Sequence, residues 1–147
     1  MPDRLTLVLP PAPSVNSIYT PRRGGGIGYT AVARKWKRLA RTVCIVQAYQ
    51  QGWEPLDTWT RVVFRPFWPD RMVRDVTNLH KVVCDVLSTV AYSDDRWALS
   101  HDEIPQLDRA RPRLELLVYL EPGCERVVST ASSRSGRTMK PTKRRKA

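Results

Sequence analysis

The sequence has few of the features that characterise secreted or membrane proteins. Its three cysteines, Cys44, Cys84 and Cys124, are an odd number at wide spacing and include no C-x-x-C pair. This usage fits a reducing cytosol. No apolar run approaches the roughly 18 residues of a membrane span, and the first residues lack the pattern of a signal peptide. We therefore expect a cytoplasmic protein.

Acidic residues are scarce, above all near the C-terminus. The chain has 25 Lys and Arg against 14 Asp and Glu, and eight of these basic residues and no acid lie between positions 126 and 146. The first 125 residues therefore carry a net charge of only +3. Such an excess favours a polyanionic partner, of which nucleic acid is the natural candidate. A membrane surface is the competing interpretation, but an amphipathic anchor needs apolar residues that the tail lacks, so we expect no membrane partner.

Hydrophobic periodicity divides the chain into strands and helices. Alternating patterns predict strands over about 5–9, 58–67, 97–99 and 113–121. Apolar residues at steps of three and four predict helices over 31–51, with Thr30 as N-cap, and from 77 or 78 to 90. The first of these helices is predicted to be amphipathic, with its apolar face formed by Val32, Trp36, Leu39, Val43, Val46 and Tyr49.

The order of these elements predicts an α+β fold. We expect a two-layer sandwich in which a mixed sheet is covered by two main helices, after a long N-terminal loop over 11–30 that is rich in Pro, Gly, Ser and Asn. Apolar periodicity stops after Pro122 and Gly123. This predicts one domain over 1–123 and a disordered basic tail over 124–147.

One segment is strongly basic. Seven basic residues and no acid lie between positions 22 and 41, namely Arg22, Arg23, Arg34, Lys35, Lys37, Arg38 and Arg41. A helix face that is merely solvated usually mixes charges of both signs, because opposite charges four residues apart attract. The pattern therefore predicts a surface that binds DNA phosphates.

The segment "RDVTNLHKVVCDVLSTVAYSDD", residues 74–95, combines an apolar helical stripe with a polar side of unusual composition. Asn78, Lys81 and Asp85 share one helix face opposite the stripe, and Asp75 lies just before the helix. A helix of this length spans about 20 Å. Asp75 can therefore approach the Asp94-Asp95 pair only if the chain after Tyr92 folds back along the helix.

If Asp75, Asp94 and Asp95 meet, their charges repel unless a cation lies between them, and hard oxygen ligands favour Mg²⁺ or Mn²⁺. Lys81 would add a cation for charge that develops on a phosphate. The alternative is structural. Asp75 can be a helix-cap neighbour, Asp94-Asp95 a turn, and Lys81 with Asp85 a surface pair worth about 0.3 to 0.5 kcal/mol.

The segment "RDVTNLHKVVCDVLSTVAYSDDRW" resembles the signature of the RusA family of Holliday-junction resolvases. These endodeoxyribonucleases, frequent in phages and prophages, have a pattern of roughly D-x-D-N-x-x-K-x-x-x-D-x-L followed by a DD pair. The early "PPAPSVNSIY" and "GYT" are also similar, and the resemblance covers about positions 5–121. The positions in register are Asp75, Asn78, Lys81, Asp85, Leu87, Asp94 and Asp95.

The resemblance implies a function and a set of roles. Asp75, Asp94 and Asp95 would bind Mg²⁺, with Mn²⁺ as a substitute, and Lys81 would act in catalysis with Asp75 and Asp95. Asn78, Asp85 and Thr77 would support this site. A homodimer would cut branched DNA at four-way junctions, in the cytoplasm of a bacterium or of a phage-infected host.

One position departs from the pattern, since Thr77 stands where the family usually has its second aspartate. Its hydroxyl can still cap a helix but is a poor replacement for a charged ligand. A catalytically weakened or inactive junction-binding protein is therefore the alternative hypothesis. A generic basic structural protein is a third, which would leave Asp75, Asp94 and Asp95 scattered.

Overall fold

The computed structural model describes residues 1–13 and 17–129 and confirms an α+β fold, a mixed sheet with two α-helices. The elements are β1 (Arg4–Leu9), β2 (Tyr19–Pro21), β3 (Ile27–Tyr29), α1 (Ala31–Gln50), β4 (Thr60–Trp68), α2 (His80–Leu87), β5 (Ala98–Asp102), β6 (Gln106–Leu107) and β7 (Arg113–Leu120). Two short 3₁₀ turns, Val76–Leu79 and Asp95–Trp97, flank α2 along the chain. The functional residues predicted from the sequence lie mainly on α1, on α2 and on these turns.

The main sheet has the order β1-β7-β4-β5, with β6 paired to the far end of β4. β7 is antiparallel to both β1 and β4, whereas β4 and β5 are parallel, so the connection through α2 is a crossover. Alternate residues of β1 and β7 are fully buried, as their sequence pattern predicts. They form the core together with Phe64 of β4 and the apolar stripe of α2.

α1 buries a different face from the one its large apolar residues predict. The side chains that it buries are Ala33, Trp36, Ala40, Cys44 and Ala48. Except for Trp36 these residues are small, which lets the helix lie close to β1 and α2. Four of the residues predicted to face the core are instead exposed, and we call them the α1 stripe: Val32 (59%), Leu39 (54%), Val46 (48%) and Tyr49 (86%).

β1 is an edge strand, and two glutamines of α1 satisfy its outer backbone groups. The Gln47 carboxamide accepts from the Val8 N–H at 2.8 Å and donates to the Val8 carbonyl at 2.9 Å. Gln51 makes the same pair of bonds with Thr6, at 3.0 and 2.7 Å. These side chains thus take the place of a neighbouring strand, which protects the edge from pairing with another chain.

The predicted N-terminal loop contains a hairpin that the sequence pattern did not indicate. β2 and β3 pair over only three residues each, and their turn has positive φ at Gly24, Gly25 and Gly26, a conformation that glycine adopts without steric cost. Tyr19 and Tyr29 stack across the hairpin, with ring centroids 5.6 Å apart. The hairpin leads directly to Thr30, which is the N-cap of α1 as predicted and accepts from the Ala33 N–H.

α2 is shorter than predicted. Its first predicted turn is the 3₁₀ turn Val76–Leu79, and the helix ends at Leu87. Ser88 leaves the helical backbone with ψ of 131°, and Thr89 follows with a left-handed φ of 67°. The predicted stripe is nevertheless buried, since Leu79, Val82, Val83, Val86 and Leu87 are at most 1% exposed and Val90 is 7% exposed. The early end of the helix lets the chain turn back toward Lys81.

Residues 127–129 pair with the segment before β4. The Asp57 N–H donates to the Val127 carbonyl at 2.7 Å and the Ser129 N–H donates to the Pro55 carbonyl at 2.9 Å. The packed part of the chain therefore includes residues after the predicted boundary at 123. The prediction of a disordered tail concerns mostly residues 130–147, which lie outside the described residues.

Candidate functional site

Lys81 lies between two carboxylates. Its Nζ is 2.9 Å from Asp85 Oδ1, one helical turn further along α2, and 3.6 Å from Asp95 Oδ2. The chain therefore folds back along α2, as the prediction required, and this brings Asp95 close to Lys81. The Asp85 hydrogen bond, with the charges of Asp85 and Asp95, raises the pKa of Lys81 and so favours its charged ammonium form.

Asp57 holds the segment that carries Asp94 and Asp95. Its carboxylate accepts from the Ser93 hydroxyl on one side of the pair and from Trp97 Nε1, at 3.2 Å, on the other. The adjacent Leu56 adds backbone bonds, accepting from the Ser93 N–H at 2.9 Å. The position of Asp95 beside Lys81 is thus fixed from both sides.

The structure adds Tyr29 and Lys37 to this group. The Tyr29 hydroxyl donates to Asp85 Oδ2, and Lys37 Nζ lies 3.8 Å from the same oxygen and 5.0 Å from the centroid of the Tyr29 ring. Burial raises the pKa of Asp85, but the bonds from Tyr29 and Lys81 and the charges of both lysines outweigh it, and the pKa is below its usual value. Asp85 is therefore an ionised counterion shared by two lysines.

Asp75 caps the 3₁₀ turn that precedes α2. Its Oδ1 accepts from the Thr77 N–H at 3.0 Å and from the Thr77 hydroxyl at 2.5 Å, while its Oδ2 accepts from Asn78 Nδ2 at 3.1 Å. The Thr77 bonds lower the pKa of Asp75. Thr77, the residue that departs from the family pattern, therefore orients Asp75 through its hydroxyl and favours its ionised form.

The described residues, 1–13 and 17–129, contain no group of three His, Cys, Asp or Glu side chains placed to hold a metal ion. Asp94 caps the second 3₁₀ turn by accepting from the Arg96 N–H at 3.0 Å. The joint site of Asp75, Asp94 and Asp95 stays a prediction. The donor chemistry is suitable, because Mg²⁺ is usually held by one or two carboxylates together with waters and substrate phosphates.

Four of the basic residues predicted to bind DNA share one face of α1. Arg34, Lys37, Arg38 and Arg41 line a cleft of about 340 Å³ together with Tyr29. Arg41 also donates to the carbonyls of Val86 and Ser88, at 3.1 and 2.7 Å, so it binds the C-terminal end of α2. The cleft adjoins the lysine and carboxylate group, because Tyr29 and Lys37 belong to both.

The other three basic residues lie apart from this cleft. Arg22 and Arg23 are exposed at the turn of the hairpin, and Lys35 is exposed on α1 but does not line the cleft. Arg22 crosses Gly28, where a Cβ atom would be 2.5 Å from its Nε. The hairpin that contains Tyr29 thus carries two further cations at its turn. The DNA-binding role of all seven residues stays a prediction.

His80 has a partner that the sequence did not reveal. Its Nε2 is 2.7 Å from Asp102 Oδ1 at the end of β5, and its ring packs against Phe64 with the centroids 4.7 Å apart. Because His80 and Asp102 are 22 residues apart, no local spacing indicates the pair. The contact attaches the start of α2 to the sheet.

The fold and the site together define an α+β domain that presents a charged lysine, ionised carboxylates and a basic cleft on one surface, an arrangement suited to phosphate chemistry. A family model described as Endodeoxyribonuclease RusA matches residues 9–119. The chain therefore belongs to the RusA family of endodeoxyribonucleases. A search of curated proteins gave no match. In the part of the chain that the structure describes, no helix has the length and apolar character needed to cross a membrane.

Proposed function

We propose that this protein is a metal-dependent endonuclease that resolves Holliday junctions or related branched DNA in recombination, repair or phage DNA processing. The main support is the position of Lys81, whose ammonium group contacts Asp85 and lies near Asp95. The family match supports the nuclease chemistry, and the cleft formed by Tyr29 and the basic face of α1 supports binding of a DNA backbone. Junction shape rather than base sequence would then provide the selectivity.

In this proposal Asp75 and Asp95 hold Mg²⁺ or Mn²⁺, with Asp94 as a further ligand. The ion would supply a nucleophile at neutral pH and offset charge on the phosphate. Lys81 would donate to a phosphate oxygen as negative charge develops there. Asp85 would keep Lys81 in place, and Lys37, whose ammonium group lies near the same carboxylate, would stabilise the ionised form of Asp85.

The proposal includes a homodimer. Two copies related by a two-fold axis would present two equivalent sites to a junction of the same symmetry, which suits paired cuts in two strands. The exposed α1 stripe supports association between copies, since apolar side chains on a helix are usually covered. The mass of the protein in solution, measured by light scattering, tests this part.

The deciding experiment is a cleavage assay on a synthetic four-way junction, with Mg²⁺ and with Mn²⁺. We expect nicked product with either ion and none with EDTA, and much slower cutting of a linear duplex of the same length. Binding without product under any metal condition would contradict the proposal. It would select the alternative, an inactive junction-binding protein, which the Thr77 position favours.

Replacing Thr77 with aspartate is expected to raise the cleavage rate and lower the Mn²⁺ concentration needed for half-maximal rate. The added carboxylate restores the acidic residue of the family pattern next to Asp75, and hard oxygen ligands increase affinity for divalent ions. Thr77→Ala is the matched control, because it removes the hydroxyl bond to Asp75 without adding charge. Equal rates in all three proteins would contradict a metal site at this turn.

A further inference from the structure

A second groove lies beside the turn that begins at Asp75, where β4 and β6 end. It measures about 400 Å³, and its apolar lining comes from Trp68, Met72, Val73, Pro105 and Leu107. Met72 is 66% exposed and Val73 is 97% exposed, although both are apolar. We call this feature the apolar groove.

The loop that displays Met72 and Val73 is braced. Asp70 Oδ1 accepts from the Met72 N–H at 3.0 Å, and both Asp70 oxygens pair with the Arg74 guanidinium, at 2.7 and 3.0 Å. The guanidinium in turn lies over the Trp68 ring, 5.1 Å from its centroid. These contacts brace the backbone of the loop on which the two apolar side chains are exposed.

The surroundings of the apolar groove are basic. Arg71 and Arg74 line it, and the Arg74 hydrogen bond, with a smaller contribution from the charge of Arg109, lowers the pKa of Asp70, which also lines the groove. Neither Arg71 nor Arg109 has a carboxylate within 4.0 Å among the described residues. Unpaired guanidinium groups around an apolar surface complement a ligand that combines rings with phosphates.

The apolar groove also adjoins a depression that contains Asp75. A smaller depression of about 150 Å³ contains Asp75 and shares Trp68 and Arg74 with the apolar groove. The stacked Trp68 and Arg74 side chains thus form the wall between the two. Asp75 and Met72 therefore line two neighbouring depressions on either side of this pair.

We infer that the apolar groove receives an unstacked nucleobase from the branch point of a DNA junction, next to the phosphate that is cut. This inference rests on the proposed function. Bases at a branch point leave their stack at lower cost than bases in a duplex, and apolar side chains commonly occupy the gaps that result. Met72 offers a polarizable thioether to the ring, while Arg71 and Arg109 bind the flanking phosphates.

The test uses a junction with 2-aminopurine at the branch and the full-length protein in EDTA, so that no cutting occurs. Binding of the unaltered protein is expected to increase the 2-aminopurine fluorescence, because the base leaves its stack. Replacing Met72 and Val73 together by asparagine is expected to remove this signal and weaken junction binding about tenfold, as loss of a base contact does. Affinity for a duplex of equal length should change less than twofold.

Val127→Asn is the matched control, since Val127 is also exposed, at 46%, but lies outside the apolar groove. Unchanged fluorescence with the unaltered protein would overturn the inference, as would equal losses of junction and duplex affinity in the double variant. A change in the mass of the DNA-free double variant would instead assign the surface to contact between copies, and would also overturn it.

Failure of the proposed function can be recognised separately. A protein that binds the junction and unstacks the branch base, but yields no product with any metal, would refute the nuclease and leave the base contact in place. If the unaltered protein cuts the junction and the double variant cuts it at the same rate with the same preference over duplex, only the base contact is refuted.

Discussion

Lys81→Ala is expected to lower the rate of junction cleavage by about 10²- to 10³-fold, the loss typical when one charge-stabilising donor is removed from a catalytic site. Its ammonium group is the cation that contacts Asp85 and lies 3.6 Å from Asp95. Affinity for the junction should fall little, because the cleft on α1 keeps its own cations. Single-turnover cleavage at saturating protein measures the rate without a contribution from binding.

Lys35→Ala is the control for this variant, since it removes the same charge from an exposed position of α1 outside the cleft. We expect its rate at saturation to be unaltered. If Lys81→Ala cuts at the rate of the unaltered protein, the assignment of Lys81 to catalysis is wrong. Raising the metal concentration should not restore the lost rate, because the lysine is not a metal ligand in this proposal.

Asp95→Asn is expected to reduce the cleavage rate by more than about 100-fold. Loss of a residue that only contacts a metal ligand typically costs about 10- to 100-fold, and Asp95 is proposed to be a ligand itself. The amide keeps the size of the side chain but removes the charge that the proposed ion needs. Since the Asp95 side chain is 44% exposed, stability should change little. In contrast to Lys81→Ala, part of the rate should return as Mn²⁺ is raised.

The control is Asp3→Asn, which neutralises a fully exposed carboxylate near the N-terminus, on a different part of the fold from Asp95. It should cut at the normal rate and show the normal Mn²⁺ dependence. An Asp95→Asn protein with normal activity would show that Asp95 is not a ligand. The two variants together therefore separate charge stabilisation by Lys81 from metal binding at Asp95.

The sequence predicted the buried face of an element correctly where large apolar residues occupy that face. The stripe of α2 and the alternation in β7 are predicted correctly, because large apolar residues recur at the period of each element and are buried there. The same rule fails on α1, where Ala33, Ala40 and Ala48 face the core and larger residues such as Leu39 are exposed. Small residues allow close helix packing, which a search for large apolar residues does not detect.

In the candidate site, the sequence predicted the contact between residues close in the chain but not the contacts between distant residues. The four-residue spacing of Lys81 and Asp85 gives their contact directly, since such positions adjoin on a helix. Tyr29 was not found, because it reaches Asp85 across 56 residues through a hairpin that only three paired positions define. The role of Asp57 was missed for a similar reason, as it lies before β4 and bonds residues about 40 positions later.

The glutamine contacts along β1 link helix fraying to aggregation. Gln47 lies in the last turn of α1 and Gln51 is its C-cap, where helix ends open most readily. Unwinding this end would uncover the main chain of Thr6 and Val8 while the rest of the sheet stays intact. Self-association through exposed strands should therefore begin from a nearly native conformation rather than from the unfolded chain.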